Sequence, residues 1–176
     1  VLATGLGKTW LSAFDSHQMN AKRVLFVAHR EEILKQAEET FVRIRPDVKV
    51  GRYNGQEKQL NVDMLFASVQ TLGKASHLNL FGREHFDYII VDEFHHAAAR
   101  TYRKLLNYFE PRFLLGLTAT PERTDQSDIL ALCDDNLVYT KDLFHGIETK
   151  LLCPFAYYGI ADEVNYQAIT WRNGKF

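Results

Sequence analysis

The stretch RVLFVAHREEILKQAEETFVRI, residues 23–44, decides the fold because it joins two different periodicities. Residues 23–29 are almost continuously apolar, which is typical of a strand that is buried on both faces. From residue 31 onward the apolar side chains recur at helical spacing and form one stripe, which consists of Ile33, Leu34, Ala37, Phe41 and Ile44. The stretch therefore predicts a buried strand followed by a helix that covers it.

The same alternation of strand and helix extends along most of the chain. Further helices are predicted at residues 8–19, 97–109 and 142–151, with a short one at 129–132, and in the first of them Leu11 and Phe14 share one face. Further strands are predicted at residues 48–52, 62–67, 86–92, 112–118, 137–139 and 155–160. Strands separated by helices predict a mainly parallel sheet with helices on both faces, which is a doubly wound α/β domain.

The composition is that of an ordinary globular domain, with 46% hydrophobic and 24% charged residues in a chain of 176. These values exclude disordered, collagen-like and coiled-coil classes, and no apolar run approaches the roughly 20 residues that span a bilayer. With only Cys133 and Cys153, a disulfide framework is excluded and a reducing, cytoplasmic location is favoured. The net charge of −1 gives no overall signal for nucleic-acid binding, so that signal must come from local features.

The segment ATGLGKT, residues 3–9, predicts a phosphate-binding loop. Glycines let backbone amides approach an anion closely, and the N-terminus of the following helix adds a favourable dipole. Lys8 would reach the β- and γ-phosphates, and the Thr9 hydroxyl would ligate Mg²⁺. Because Leu2 stands where the usual motif has its first glycine, a simple glycine turn before a helix remains the alternative. The expected nucleotide-binding residues are Thr4, Gly5, Leu6, Gly7, Lys8 and Thr9.

Two adjacent acids, Asp92 and Glu93, follow the apolar run FDYIIV, at the end of a predicted strand where α/β sheets place ligands. Asp92 would hold Mg²⁺ and Glu93 would polarise the attacking water, because a phosphate loop supplies positive charge but no base. The alternative is a polar strand end that caps the next helix. A third polar cluster, Thr118-Ala119-Thr120, ends the next predicted strand, although an isolated cluster of this kind is more commonly part of a turn.

These motifs carry a resemblance to a known superfamily. ATGLGKT, VAHREE, ASVQTL, DEFH and GLTATPER stand in the order of motifs I, Ia, Ib, II and III of superfamily 2 helicases. The similarity covers about residues 3–129, and the shared order makes it specific. The chain resembles the first RecA-like lobe of a DExH-type member, in the group that includes DEAD/DEAH and type III restriction (Res-subunit-like) helicases.

The resemblance implies further residue roles. His95 would couple hydrolysis to strand movement through Thr118 and Thr120. The residues that would contact the nucleic-acid backbone are His29, Arg30, Ser68, Gln70 and Thr71. Hydroxyls, amides and Arg at loop ends suit such sequence-independent contacts. Without the other motifs, a helix cap would be the favoured explanation for residues 68–71, and a hydrogen-bonded strand-end histidine for His29. The neighbouring His96 receives no functional role and is expected to be structural.

The resemblance also implies a division of the chain. Residues 1–150 would form the first motor lobe, and residues 151–176 would lead toward a second lobe. That second lobe carries the arginine fingers in such enzymes, so the fragment alone is expected to hydrolyse ATP very slowly. Since only Val1 and Leu2 could belong to a strand before the phosphate loop, we also expect the sequence to be an excerpt of a longer chain.

Three functions are compatible with these features. The favoured one is an ATP-dependent helicase or translocase that uses Mg²⁺ and acts on DNA rather than RNA. The first alternative is a restriction-enzyme motor subunit that translocates duplex DNA without separating its strands. The second is a phosphate-loop scaffold that binds without turnover, although an intact Lys8, Asp92 and Glu93 oppose it. A GTPase switch is disfavoured because no N-K-x-D base-reading motif is present.

Overall fold

A computed structural model of the protein describes residues 1–120 and 129–159. Its sheet has five strands in the order β2-β3-β1-β4-β5, and every pair of neighbours is parallel. The strands are β1 (Val24–Ala28), β2 (Val50–Tyr53), β3 (Met64–Ser68), β4 (Tyr88–Val91) and β5 (Phe113–Gly116). The predicted doubly wound α/β class is confirmed.

Helices cover the sheet on both faces. The helices are α1 (Lys8–Gln18), α2 (Glu31–Ile44), α3 (Val69–Leu72), α4 (Ala75–Leu78), α5 (Arg100–Tyr108) and α6 (Leu143–Glu148). On one face, Ala13 of α1 and Phe41 of α2 pack in one apolar core with Phe26 of β1. On the other, Leu72 of α3 and Leu105 of α5 pack in a second core. Burial of these two cores supplies most of the stabilisation of the domain.

The buried face of α1 differs from the predicted one. Leu11 and Phe14 are 46% and 56% exposed, whereas Ser12, Ala13 and Ser16 are buried. These small side chains let the helix lie close to its neighbours. The two serines can be buried because their hydroxyls donate to main-chain carbonyls of the same helix, 2.8 and 2.9 Å away.

The strands predicted near the end of the chain are wrong where the structure describes them. Residues 137–139 form no strand, and their side chains are 52–82% exposed, so burial does not reinforce their strand propensity. Residues 155–159 form no strand either, and residue 160 lies outside the described residues. Of the short helix predicted at 129–132, residues 129 and 130 are α-helical, and a 3₁₀ turn at Ala131–Cys133 follows them. The later helix is confirmed as α6, and Asp142 caps it by accepting from the His145 amide.

Short helical turns follow two of the strands directly. The sequence prediction missed α3, which begins at Val69 immediately after β3, and α4 beyond it. The helix predicted at 97–109 begins only at Arg100, because a 3₁₀ turn at Phe94–His96 comes first.

Among the described residues, no helix is long and apolar enough to cross a membrane.

Candidate nucleotide site and nucleic-acid face

The phosphate loop lies at the carboxyl edge of the sheet, beside β5. The Leu2 amide donates to the Thr118 carbonyl at 2.9 Å, and Leu2 also pairs in parallel with Lys141. Val1 and Leu2 thus lie alongside the residues that follow β5, although they form no strand of the five-stranded sheet. The loop therefore opens at the edge where β4 also ends.

Two glycines give the loop its shape. Gly5 and Gly7 have φ values of +88° and +76°, a left-handed conformation that side chains disfavour. At Gly5 a Cβ atom would also lie 2.9 Å from the Leu152 side chain, so a larger residue there would both strain the backbone and displace Leu152. The turn ends at α1, and the first amides of a helix have no partner within the helix. They can therefore bind an anion.

Lys8 is a half-buried cation whose partners in the loop are neutral. Its ammonium group donates to the carbonyls of Leu2 and Ala3, at 3.0 and 3.4 Å. Burial lowers the pKa of Lys8, and the negative charges of Asp92 and Glu93 oppose that shift. An incoming phosphate would supply the compensating negative charge that the carbonyls do not, so the residues fit a nucleotide.

The two acids differ in burial and conformation. Asp92 is 8% exposed and accepts a hydrogen bond from the Glu93 amide at 2.9 Å. Burial raises the pKa of Asp92, with a smaller contribution from the charge of Glu93. Glu93 has a φ of +53°, a left-handed conformation that costs a non-glycine residue about 1–2 kcal/mol. Strain of this kind is common where the protein must aim a side chain at a reacting group.

The acids also fit a divalent cation. A bound cation would offset the burial of Asp92 by favouring its charged form. Mg²⁺ commonly takes one or two protein carboxylates and completes its shell with water and substrate phosphates. Within residues 1–120 and 129–159, no group of three or more His, Cys, Asp and Glu side chains could hold a metal ion alone. Thr9 and Asp92, the two residues predicted to hold Mg²⁺, offer oxygen atoms of the kind that this cation takes.

A histidine connects the acid to the end of β5. The Nδ1 atom of His95 lies 3.2 Å from Glu93 Oε2 and 3.1 Å from Thr118 Oγ1. The Thr118 hydroxyl in turn donates to the Thr120 carbonyl and accepts from the Thr120 amide, both at 3.3 Å. The structure thus brings together all three residues for which coupling was predicted. The rest of that motif, Pro121-Glu122-Arg123, lies outside the described residues.

A close backbone approach fixes the turn that carries these side chains. The Phe94 amide donates to the Leu117 carbonyl at 2.8 Å. At Gly116, a Cβ atom would lie 2.6 Å from the Phe94 ring. The β5 strand and the turn after β4 can approach this closely only because Gly116 has no side chain. The sequence analysis missed Gly116, because a glycine inside an apolar strand indicates that another group approaches the backbone closely but does not identify that group.

The residues predicted to contact nucleic acid meet at the ends of two adjacent strands. β1 and β3 pair in register, with Ala28 opposite Ser68. The Ser68 hydroxyl donates to the Gln70 side-chain oxygen at 2.7 Å, and the Gln70 amide group donates to the His29 carbonyl at 2.9 Å. Arg30 and Gln70 are exposed and Thr71 is half-buried. This face lies directly beside the end of β4, because β1 pairs with both β3 and β4.

His96 lies between the two groups of residues. Its ring contacts the ring of His29 edge to face at 5.2 Å and the ring of His95 at 4.2 Å. His96 thus joins the acid turn to the end of β1 through ring contacts, which is compatible with the structural role expected for it. Its position directly after the DEFH motif was the signal available in the sequence.

Comparisons with known proteins agree with this geometry. Residues 1–123 match the family model described as "Type III restriction enzyme, res subunit". The chain is 34% identical over 172 residues to the Saccharomyces cerevisiae protein described as "Putative ATP-dependent helicase IRC3", a match that covers 86% of this chain and 24% of that protein. It is 29% identical over 188 residues to the Escherichia coli "Type I restriction enzyme EcoAI endonuclease subunit", covering 99% of this chain and 22% of that protein.

A solved structure shares the fold. The Pyrococcus furiosus Hef helicase domain superposes with a TM-score of 0.64 at 21% identity, covering 76% of this chain and 32% of that one. At this identity the likeness concerns the fold alone. The chain spans about a quarter of the length of the curated relatives described above.

Proposed function

The chain belongs to the family of type III restriction enzyme Res subunits, and from this membership we propose that it is the first motor lobe of an ATP-dependent helicase or translocase. One observation carries the proposal: the phosphate loop and the acids after β4 lie at one edge of the sheet. They are close enough for the charges of Asp92 and Glu93 to act on Lys8. A cation for phosphate and a carboxylate for water are the two halves of a phosphoryl-transfer site.

The nucleotide half of the proposal assigns a role to each residue. The amides of residues 4–9 and the Lys8 ammonium bind the phosphates of ATP. Thr9 and Asp92 hold Mg²⁺, which when bound neutralises charge on the phosphates. Glu93 orients the attacking water and accepts its proton. His95, Thr118 and Thr120 pass the change at Glu93 to the end of β5.

The other half concerns the polymer. Arg30, Gln70 and their neighbours His29, Ser68 and Thr71 contact the sugar-phosphate backbone, which requires no base-specific groups. We favour DNA over RNA because the family description and the name of the Escherichia coli relative both refer to restriction enzymes, a class that acts on DNA.

We also propose a division of the chain, in which residues 1–150 form the motor lobe and residues 151–176 lead to the second lobe. The proposed location of the whole protein is the cytoplasm.

The second lobe matters for rate. An arginine finger contributed across the nucleotide is worth about 10³–10⁵ in turnover. The lobe described by this chain is therefore expected to bind ATP but to hydrolyse it very slowly without its partner lobe.

A second candidate function is favoured by the family itself. The family description names a restriction-enzyme subunit, and as a motor of such an enzyme this chain would translocate duplex DNA without separating its strands, with the same residues driving the movement. A third candidate, a non-hydrolysing scaffold, is opposed by the presence of Lys8, Asp92 and Glu93 in one site.

The test is ATP hydrolysis by the whole protein, alone and with duplex DNA, single-stranded DNA or RNA. Stimulation by DNA supports the proposal, and stimulation by duplex without strand separation selects the restriction-type motor. Stimulation by RNA alone would overturn the preference for DNA. ATP binding with no hydrolysis under any condition would overturn the motor and select the scaffold.

A further inference from the structure

A basic cleft opens beside the face that holds Gln70. It has a volume of about 490 Å³ and lies between the end of α3, the start of α4 and the first turns of α5. Three cationic residues and no acidic residue line it. The cations are Lys74, Arg100 and Lys104, all of them exposed. None of the three forms an ion pair with another residue in the described ranges 1–120 and 129–159.

The backbone, rather than chance side-chain positions, builds the cleft. At Gly73 a Cβ atom would lie 2.6 Å from Thr101 Cγ2, 2.7 Å from the Val69 carbonyl oxygen and 3.0 Å from the Thr101 carbonyl oxygen. The end of α3 therefore touches the first turn of α5 with no room for a side chain. Lys74 and Arg100 each follow or precede one of the touching residues in the chain, so this contact brings both cations to the same cleft. Like charges held together repel one another, and a bound anion removes that cost.

The cleft continues the face described above. Gln70 lines it and also bonds to the His29 carbonyl, so one side chain belongs to both. A strand whose backbone passes Arg30 and Gln70 would reach the cleft next. We propose that Lys74, Arg100 and Lys104 bind successive phosphodiester groups of the nucleic-acid strand and extend the contact surface beyond the motif residues. This inference rests on the proposed function and deepens it.

The salt dependence of binding tests the inference. The slope of log K against log salt is negative, and each phosphate contact contributes about 0.9 to its magnitude for duplex DNA and about 0.7 for single strands. In the whole protein, a variant with Lys74→Ala, Arg100→Ala and Lys104→Ala should reduce the magnitude of that slope by about 2–3 for a duplex. Fluorescein-labelled oligothymidine and a labelled duplex are suitable probes. ATP affinity measured without nucleic acid should not change.

A matched control removes the same charges elsewhere. Lys22, Arg43 and Lys49 are also two lysines and one arginine, are all exposed, and lie at the opposite edge of the sheet, before β1, at the end of α2 and before β2. Their triple alanine variant should keep the wild-type slope. The single reversal Lys104→Glu, a milder change for folding, should weaken binding on both probes.

The outcomes separate the two proposals. The inference is supported if the slope of log K against log salt becomes shallower in the cleft variant and stays unchanged in the control. Equal slopes in the cleft variant and the wild-type protein, or equal losses in both triple variants, overturn the cleft while leaving the motor proposal intact. A wild-type protein that binds neither probe overturns both.

Discussion

The ring of His96 packs edge to face against the ring of His29, with centroids 5.2 Å apart. His29 follows β1 and His96 follows the two acids after β4, so the contact joins the proposed nucleic-acid face to the proposed nucleotide site. On its other side His96 lies against His95, which reaches Glu93. A short path of touching side chains therefore leads from the end of β1 to the acid.

The first prediction concerns that path. We expect His96→Ala to reduce the stimulation of ATP hydrolysis by nucleic acid roughly two- to ten-fold, since an aromatic contact is worth about 0.5–1.5 kcal/mol. His96→Phe keeps a ring at the same place and should retain most of the stimulation. The measurement is ATPase rate with and without polymer, in the whole protein. Equal stimulation in the alanine variant and the wild type would show that His96 only packs.

The second prediction concerns the proposed base. Glu93→Gln keeps the size of the side chain but cannot accept a proton, so ATP binding should be retained while turnover falls by about 10²–10⁴. Equilibrium binding of a fluorescent ATP analogue and single-turnover hydrolysis measure the two effects. Glu39→Gln, an exposed position on α2, serves as the control and should change neither. A wild-type rate in Glu93→Gln would remove Glu93 from this role.

The third prediction concerns pH. Burial lowers the pKa of Lys8, and the charged form is the one that attracts phosphate. Nucleotide affinity should therefore fall as pH rises through this lowered pKa, at a pH below the ordinary lysine value. Lys8→Arg, whose charge persists, should bind with less pH dependence across the same range. Lys8→Ala should weaken both binding and turnover at every pH, and an affinity independent of pH in the wild type would contradict the assignment.

The fourth prediction tests coupling between His95 and Thr118, whose side-chain atoms lie 3.1 Å apart. His95→Ala and Thr118→Val should each lower strand movement more than ATP hydrolysis. Because they interrupt one connection, the double variant should lose less than the sum, with an interaction energy of about 0.5–3 kcal/mol. Unwinding or translocation per ATP hydrolysed is the quantity to compare. Strictly additive losses would mean that the two residues act separately.

The fifth prediction concerns stability. Gly116→Ala should place a methyl group against the Phe94 ring and lower the free energy of unfolding by about 1–3 kcal/mol. Gly55→Ala is the matched control, because a Cβ atom there meets nothing within 4 Å, and its effect should stay within about 0.5 kcal/mol. Urea denaturation measures both. Adding Phe94→Leu to Gly116→Ala should recover part of the loss if the contact is its cause.

The sequence predicted the core of the sheet because its central strands are short apolar runs, and the runs of β1 and β4 are each followed by a helix pattern. β1, β3 and β4 are buried at every position, and that burial leaves a signal in composition alone. The strands predicted at 137–139 and 155–159 are absent because these residues are not buried. Apolar residues have strand propensity, but residues 137–139 and 155–159 are exposed, and without burial on the face of a sheet their backbone remains irregular.

By itself, the sequence determined the fold class, the family and the residue types of the site, because motif order and periodicity are local properties of a chain. Only the tertiary structure decided which residues touch. His96 against His29, Gly116 against Phe94 and Gly73 against Thr101 are contacts between segments far apart in the chain. The packing of helices on a parallel sheet sets such contacts, and no spacing within the sequence encodes the distance between two strand ends.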